Sequence, residues 1–221
     1  MIKAIIFDFD GVIVESVDIK TKAFAKLFEN QGKDIVKRVV DYHINNTGVS
    51  RYEKFKYIYK NILRTTLSNE KFQKLCKEFA DLVITEVVNA SYVKGANEFL
   101  EQHAKNYMCF VCSATPQDEM RKIIKQRGID SFFKAIYGAP MEKKDIVGDI
   151  ITKENINPKN VVYIGDALSD YKASYNNSVT FIARITDNNK KLFAKIDCLK
   201  INDLTTLFNI IKNHKLFSYR D

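Results

Sequence analysis

Four aspartates at the ends of two apolar runs are the residues of this sequence best suited to chemistry. Asp8 and Asp10, with Gly11 directly after them, close the first apolar run, and Asp166 and Asp170 follow the run YIG. If both runs are parallel strands, their ends share one crevice, where the carboxylates repel each other unless a cation lies among them. Ligands that are all oxygen favour Mg²⁺ over zinc. The sequence therefore predicts a magnesium site.

Each acidic cluster also has a simple structural explanation. The motif D-x-D-G is a polar strand end followed by a glycine turn. Asp166 and Asp170 are one helical turn apart and would suit the positive end of a helix dipole. The helix dipole accounts for the cluster of Asp166 and Asp170 but not for both clusters.

Positive and hydrogen-bonding groups are predicted near the same crevice. Ser113 ends the run YMCFVCS and precedes ATPQDEM, which predicts a helix start with Pro116 near its first turn. A hydroxyl and free backbone N–H groups there would hold an anion, although a simple N-cap serine fits as well. Lys143 and Lys144 follow IYGAPME. Either could reach the same crevice and offset the repulsion between its carboxylates and a bound anion.

Apolar runs at 2–9, 107–112, 135–137, 161–164 and 179–182 predict the strands that position these residues. Helix-like segments or turns follow them, which is typical of an open α/β sheet, and runs that are apolar throughout favour parallel strands. Between Glu15 and about Ala90 the periodicity is helical instead. We expect an α/β core of residues 1–14 and 91–221. Residues 15–90 would form an inserted helical cap over the carboxyl ends of the strands, where ligands bind.

Composition excludes several classes of protein. The chain has 221 residues, 46% of them hydrophobic, which is enough for one core with a smaller insert. Its first residues lack a secretory signal and no run approaches membrane-spanning length, so we expect a cytoplasmic protein without a membrane partner. The net charge of +8 would suit nucleic acid, but the basic residues are interleaved with acids, and we expect no nucleic-acid partner. A monomer and a homodimer both remain open.

The cysteines and histidines do not predict a second chemistry. Cys109 and Cys112 form C-x-x-C within a predicted strand. Residues three apart in a strand point to opposite faces, so we expect buried, reduced thiols rather than a zinc or redox site. His43, His103 and His214 lie in unrelated contexts, and we expect them to be incidental surface or helix residues.

In chain order, the motifs DFDGV, CSATP, a lysine after GAP, and GDALSD resemble the four motifs of haloacid dehalogenase superfamily phosphatases. Each motif is weak alone, but together they run from Asp8 to Asp170. The resemblance implies a Rossmann-like parallel sheet with an inserted helical cap. It also implies a Mg²⁺-dependent phosphohydrolase in which Asp8 forms an aspartyl-phosphate and Asp10 is the general acid and base. The implied partner is a small phosphate ester.

The resemblance implies further roles. Lys143, preferred over Lys144, would stabilise charge, and Ser113, Ala114 and Gly11 would bind the substrate phosphate. The implied metal ligands are Asp8, the backbone carbonyl of Asp10, Asp166, and Asp170 either directly or through water.

The segment between Ser113 and Lys143 is too short for an inserted domain, so the implied cap is the helical kind of the phosphoglycolate phosphatase and β-phosphoglucomutase branch. The tetrapeptide G-V-S-R ending at Arg51 resembles that of the mutases, and Arg51 would hold a second anionic group of the substrate. Lys20, however, stands where those mutases commonly carry histidine, and Glu15 where the branch usually has aspartate. A phosphomutase is therefore the alternative to a phosphatase. A catalytically silent binding relative stays open, although the intact motif set argues against it.

Overall fold

A parallel sheet of six strands forms the centre of the computed structural model, which describes residues 1–213. The strands are β1 (Ala4–Phe7), β2 (Met108–Pro116), β3 (Ala135–Ala139), β4 (Val161–Gly165), β5 (Thr180–Arg184) and β6 (Leu199–Ile201). Their order across the sheet is β3-β2-β1-β4-β5-β6, and every neighbouring pair is parallel. This is the strand order of a doubly wound, Rossmann-like sheet. The predicted fold class is confirmed.

Within residues 1–213 the α-helices are α1 (Val17–Leu27), α2 (Lys33–Asn45), α3 (Arg51–Tyr57), α4 (Asn69–Asn89), α5 (Ala96–His103), α6 (Gln117–Gln126), α7 (Lys143–Glu154), α8 (Leu168–Asn176) and α9 (Leu207–Lys212). Helices α5, α6 and α9 pack on one face of the sheet, and α7 and α8 pack on the other. No helix among these residues is both long and apolar enough to cross a membrane.

The strands are apolar throughout because both faces of the sheet are covered. All four residues of β1 are buried, and Ile6 pairs with Phe110 on one side and Tyr163 on the other. Cys109 and Cys112 pack in hydrophobic clusters on opposite faces of the sheet, as predicted from their spacing. The chain's four cysteines all lie within residues 1–213 and form no disulfide there.

Helices α1 to α4, together with a π-helical turn at Ile58–Leu63, lie between β1 and β2 and are called the helical insert. Ser50 and Ser68 cap α3 and α4, since each hydroxyl accepts a hydrogen bond from a backbone N–H three residues on. Phe24 packs on Phe79 and Phe55, with ring centroids 4.8 and 5.6 Å apart. The predicted helical periodicity of this segment is therefore confirmed.

The two chain segments that join the insert to the sheet are hydrogen bonded to each other. The backbone N–H of Glu15 donates to the carbonyl of Ser91 at 2.9 Å, and that of Val93 donates to Ile13 at 3.0 Å. The side chain of Arg127 donates to three carbonyls at the end of α4 and its exit, which ties the insert to the region after α6. The division into a core of residues 1–14 and 91–221 and a cap of residues 15–90 stays a prediction.

One boundary differs from the prediction. Strand β2 continues through Ser113 to Pro116, with an irregular register against β3 after Cys112, and α6 begins only at Gln117. Ser113 therefore does not cap a helix, because Pro116 is the residue before the first helical turn. The last strand and helix among the described residues are β6 and α9, and His214 lies outside these residues.

Candidate active site

The four predicted aspartates meet where the strand order reverses, between β1 and β4. Ligands of doubly wound sheets bind at such a point, beyond the carboxyl ends of the strands. Asp8 follows β1, Asp166 follows β4, and Asp170 lies in the first turn of α8. These three are buried, and each offers a carboxylate oxygen within 4.8 Å of the others. The predicted convergence of two strand ends is thus present in the structure.

Asp8 is held by one backbone and one side-chain donor. Its Oδ1 accepts a hydrogen bond from the N–H of Phe9 at 2.7 Å, and its Oδ2 accepts one from Lys143 Nζ at 2.9 Å. Burial raises the pKa of Asp8 to about 7, and repulsion by Asp170 and Asp10 adds to this effect, whereas Lys143 opposes it. The environment therefore disfavours the charged form of the carboxylate unless more positive charge is supplied.

The carboxylate of Asp166, unlike that of Asp8, has no hydrogen-bond donor or cation in contact with it among the described residues. Asn189 donates to the backbone carbonyl of Asp166 at 2.8 Å. Burial and the charges of Asp8 and Asp170 raise its pKa well above the usual range. Gly11, at φ +75°, lets the loop after β1 approach closely, because a Cβ there would lie 2.3 Å from Asp166 Oδ2.

Asp170 is fully buried, and donors engage both of its oxygens. Oδ1 accepts from Lys143 Nζ at 2.6 Å and from the Tyr163 hydroxyl at 2.9 Å, while Oδ2 accepts from the N–H of Ala167 at 3.0 Å. Burial opposes the charge of Lys143, but attraction to Asp170 and Asp8 prevails and raises its pKa. Lys144 is exposed and pairs with a neighbouring surface glutamate at 3.1 Å. Of the two candidate lysines, only Lys143 reaches the aspartates.

Asp10 has its own cation. Lys20 Nζ, on α1, donates to Asp10 Oδ2 and, at 2.7 Å, to the hydroxyl of Thr115. Thr115 in turn donates to Asp10 Oδ2 at 3.1 Å, and Ser16 donates to Oδ1 at 2.6 Å. Burial alone would raise the pKa of Asp10, but the charge of Lys20 and these three hydrogen bonds lower it. These contacts therefore stabilise the ionised form of Asp10.

The phosphate-binding candidates lie on β2. Ser113 is buried, and its hydroxyl oxygen accepts a hydrogen bond from the N–H of Thr115 at 3.1 Å. Its own O–H remains available to donate to an anion. Ala114 lines the pocket in front of Asp8.

The residues of this site fit a divalent cation. Only two ammonium groups among the described residues, those of Lys20 and Lys143, contact the four aspartates, so the carboxylates outnumber the cations in contact with them by two. An unpaired buried charge is costly. The donor set contains only oxygen, and the carboxylate of Asp166 has no other partner among the described residues, which suits Mg²⁺ better than zinc.

The helical insert forms the opposite wall of the pocket, with apolar side chains and three polar groups besides Lys20. Arg51, Lys54 and His43 line this wall. Arg51 forms a bidentate ion pair with Glu119 of α6, so the predicted substrate ligand is engaged by a core carboxylate. His43 lies in α2, one of the two settings predicted for it, but it is 2% exposed rather than on the surface, and it lines the pocket. His103 stacks on Phe208, with ring centroids 3.8 Å apart.

The sequence did not indicate the roles of Lys20, Lys54 or Glu119. Lys20 was noted only as a departure from a histidine position, and Lys54 lies in the lysine-rich stretch RYEKFKY. The positions of Phe55 and Ile58 on the buried face of the insert carried the only usable signal, because a lysine adjacent to Phe55 lies near that face.

Comparison with known proteins agrees with this geometry. The family described as haloacid dehalogenase-like hydrolase matches residues 5–184. A Thermotoga maritima protein named phosphorylated carbohydrates phosphatase is 25% identical over 178 residues, which cover 78% of this chain and 80% of that protein.

Two solved structures support the fold. The β-phosphoglucomutase from Clostridium difficile has a TM-score of 0.78 at 22% identity, with 97% of each chain covered. A predicted phosphoglycolate phosphatase from Haemophilus somnus has a TM-score of 0.70 at 18% identity, with 95% of this chain and 97% of that one covered. The chain therefore belongs to the haloacid dehalogenase-like hydrolases.

Proposed function

We propose that this protein is a Mg²⁺-dependent phosphatase that hydrolyses a small phosphorylated carbohydrate through an aspartyl-phosphate on Asp8. The observation that carries the proposal is the buried Asp8 carboxylate, which is paired with Lys143 and lies beside Asp166, a carboxylate without a partner among residues 1–213. A nucleophile needs charge compensation before it can approach a phosphoryl group, and this arrangement offers it.

In the first step, a carboxylate oxygen of Asp8 attacks phosphorus, and the bond from phosphorus to the leaving oxygen breaks. Asp10 gives a proton to that oxygen and releases an alcohol. Lys143 offsets the charge of Asp8 and the phosphoryl oxygens, and Ser113 and the Ala114 backbone would hold those oxygens.

Magnesium, when bound, would neutralise phosphoryl charge at the nucleophile. Its ligands would be Asp8, Asp166 and the Asp10 carbonyl. Asp170 would act directly or through water, and its three bonds to protein donors favour the indirect role.

In the second step, Asp10 removes a proton from water. The water oxygen attacks phosphorus, the bond to Asp8 breaks, and inorganic phosphate leaves. The base form of Asp10 is the one that Lys20, Ser16 and Thr115 stabilise. In the first step, an entering phosphate dianion would favour protonation of Asp10, because a nearby like charge raises the pKa of a carboxyl group.

An ionised Asp10 would activate water in a phosphatase and a sugar hydroxyl in a mutase alike. The phosphatase is preferred because the Thermotoga maritima relative is named a phosphatase. The mutase stays the second candidate, supported by the G-V-S-R segment ending at Arg51.

The name of the Thermotoga maritima relative supports a phosphorylated carbohydrate as the substrate class. The apolar and basic insert wall would cover the part of the substrate beyond the phosphoryl group. Arg51 would contact that part only if Glu119 released it. The proposal includes a cytoplasmic location, which suits both a phosphorylated metabolite and the absence of disulfides among the described residues.

A substrate screen tests the proposal. Release of inorganic phosphate is measured from p-nitrophenyl phosphate, sugar phosphates, phosphoglycolate and nucleoside monophosphates, with Mg²⁺ and with excess EDTA. We expect turnover with Mg²⁺ alone, best on a sugar phosphate. Conversion of β-glucose 1-phosphate to its isomer, dependent on a bisphosphate primer and faster than phosphate release, would replace the phosphatase by the mutase. No turnover of any compound would favour the catalytically silent relative.

A further inference from the structure

Lys54 is a buried lysine of the insert wall without an acidic partner. It is 2% exposed, and among residues 1–213 its ammonium group contacts only neutral atoms, the Nδ1 of His43 at 2.9 Å and the carbonyl of Thr47 at 3.4 Å. Phe24 also lies beneath it, with the ring centroid 5.5 Å from Nζ. A buried ammonium with such partners lacks the compensation that buried charges normally have.

His43 gives this wall a further hydrogen-bond donor that a ligand could use. Burial lowers the pKa of His43 to about 2, and the neighbouring charges of Lys54 and Lys20 add to the effect, so the ring is neutral. With Lys54 as the donor, Nδ1 of His43 accepts and the ring proton lies on Nε2. This Nε2 is buried and has no hydrogen-bond partner among the described residues. Lys54 and His43 thus both hold unused donor capacity in one pocket.

The other two cations of the insert that line the pocket are already paired, Lys20 with Asp10 and Arg51 with Glu119. The two terminal nitrogens of Arg51 each donate to one oxygen of Glu119, and its guanidinium lies 5.3 Å from the Phe79 ring centroid. Because α3 belongs to the insert and α6 to the sheet side, this ion pair joins the two walls of the pocket. The buried Nε of Arg51 has no hydrogen-bond partner among the described residues, but the charge of its guanidinium is already balanced by Glu119.

We propose that Lys54, assisted by His43, binds a second anionic group of the substrate, remote from the phosphoryl group that reacts at Asp8. The inference rests on the proposed phosphatase function and deepens it, because it assigns the substrate class: a small phosphorylated carbohydrate with a further phosphate or carboxylate. The two anions would lie at opposite walls of one pocket, with apolar side chains such as Val83 and Ile123 between them.

The electrostatics of the pocket support this assignment. Burial lowers the pKa of Lys54, and the charge of Lys20 lowers it further. Asp10 and Asp166 oppose this effect, but both belong to the aspartate side of the pocket. An anion held at the insert wall would supply the missing compensation there. It would also gain charge-assisted hydrogen bonds, which are stronger than neutral ones.

The test compares Lys54→Met with Lys56→Met. Methionine keeps the length and apolar stem of lysine without its charge, and Lys56 is an exposed lysine of the same helix whose side chain is 62% accessible. Four compounds are used with Mg²⁺: p-nitrophenyl phosphate, glucose 6-phosphate, glucose 1,6-bisphosphate and phosphoglycolate. Only the last two carry a second anion, a phosphate in one and a carboxylate in the other.

We expect Lys54→Met to lower kcat/KM roughly 10- to 100-fold for at least one doubly anionic substrate, the loss of one charge-assisted contact. We expect changes of less than about 3-fold for the two singly anionic ones. Lys56→Met should leave all four values unchanged. A selective loss on glucose 1,6-bisphosphate would identify the second group as a phosphate. A selective loss on phosphoglycolate would identify it as a carboxylate. The melting temperature of Lys54→Met should equal or exceed that of the wild type, because an uncompensated buried charge has been removed.

Equal losses on all four compounds would assign Lys54 a structural role and overturn the inference, as would no loss on any. A selective loss in Arg51→Ala but not in Lys54→Met would assign the second anion to Arg51 instead. A binding measurement separates this inference from the proposed function. Titration calorimetry of glucose 1,6-bisphosphate and glucose 6-phosphate into Asp8→Asn needs no turnover. Binding preference for the bisphosphate that Lys54→Met abolishes would uphold the inference even if the wild type hydrolyses nothing.

Discussion

Replacing Asp8 by asparagine tests both consequences of burying this carboxylate, its chemistry and its electrostatic cost. The amide fills the same volume, but its single oxygen can accept from only one of the two present donors, the N–H of Phe9 or Lys143 Nζ, and its NH2 group then faces the other. It cannot act as the nucleophile, so we expect turnover to be abolished while the fold is kept. It also carries no charge, so the cost of burying the carboxylate without a metal should disappear.

The size of that cost follows from the pKa of Asp8, which burial raises from 3.8 to about 7. At about 1.4 kcal/mol per pH unit, this difference corresponds to roughly 4 kcal/mol. Because the folded-state pKa is above the unfolded value, folded protein binds the proton more tightly. The free energy of unfolding of the metal-free protein therefore falls as pH rises from about 4 to about 7. Above pH 7 the wild type bears the full cost, and the variant does not.

Urea unfolding of both proteins in EDTA, at pH 5 and pH 8, measures this difference. We expect Asp8→Asn to be more stable than the wild type by roughly 2 to 4 kcal/mol at pH 8, and by clearly less at pH 5. Added Mg²⁺ should stabilise the wild type more than the variant, since the ion compensates Asp8. The exposed Asp187→Asn, at a side chain 94% accessible, is the control and should show no such pH dependence.

Two results would refute this reasoning. If the difference in stability is the same at pH 5 and pH 8, Asp8 is not the group that titrates between them. If a clean preparation of Asp8→Asn keeps substantial phosphatase activity, Asp8 is not the nucleophile.

Three other outcomes are expected. Activity should require Mg²⁺ and be inhibited by Ca²⁺, whose larger and more flexible coordination disturbs in-line attack. Asp166→Ala should raise the Mg²⁺ concentration needed for half-maximal rate. Full activity in EDTA would contradict the metal requirement. Lys143→Met should lower kcat by a factor of about 100 or more, while Lys144→Met should have no effect, and similar losses in both would refute the assignment. Lys20→Met should raise the pKa of Asp10, because the variant lacks the ammonium group that stabilises the carboxylate. The acidic limb of the kcat profile against pH should then shift to higher pH. An unmoved limb would show that Lys20 does not set the pKa of Asp10.

Local patterns in the sequence were enough to predict the sheet and its acidic edge. Runs that are apolar throughout indicate strands covered on both faces, and acids directly after such runs must lie at the carboxyl edge of a parallel sheet. The helical periodicity around Phe24, Phe55 and Phe79 likewise predicted the insert, and the order of four short motifs predicted the family. These features depend on which face a side chain occupies, and residue spacing alone encodes that.

The end of β2 shows where local patterns fail. The Pro116 signal suggested an earlier helix start, yet the chain remains extended through Ser113 to Pro116, with Pro116 paired to Ala139 of β3. Pairing with a neighbouring strand decided this boundary, and that neighbour is not adjacent in sequence.

Only the tertiary structure decided which charges meet. Thr115 and Asp10 are 105 residues apart in the chain, and Arg51 and Glu119 are 68 apart. Lysines are common on surfaces, so neither Lys20 nor Lys54 differs in sequence from the other lysines around it. Only the packing of the insert against the sheet makes Lys20 and Lys54 different from the surface lysines, because it shields their ammonium groups from water. Burial is a property of the assembled pocket, and it is burial that makes a charge costly, shifts a pKa and leaves a donor available to a ligand.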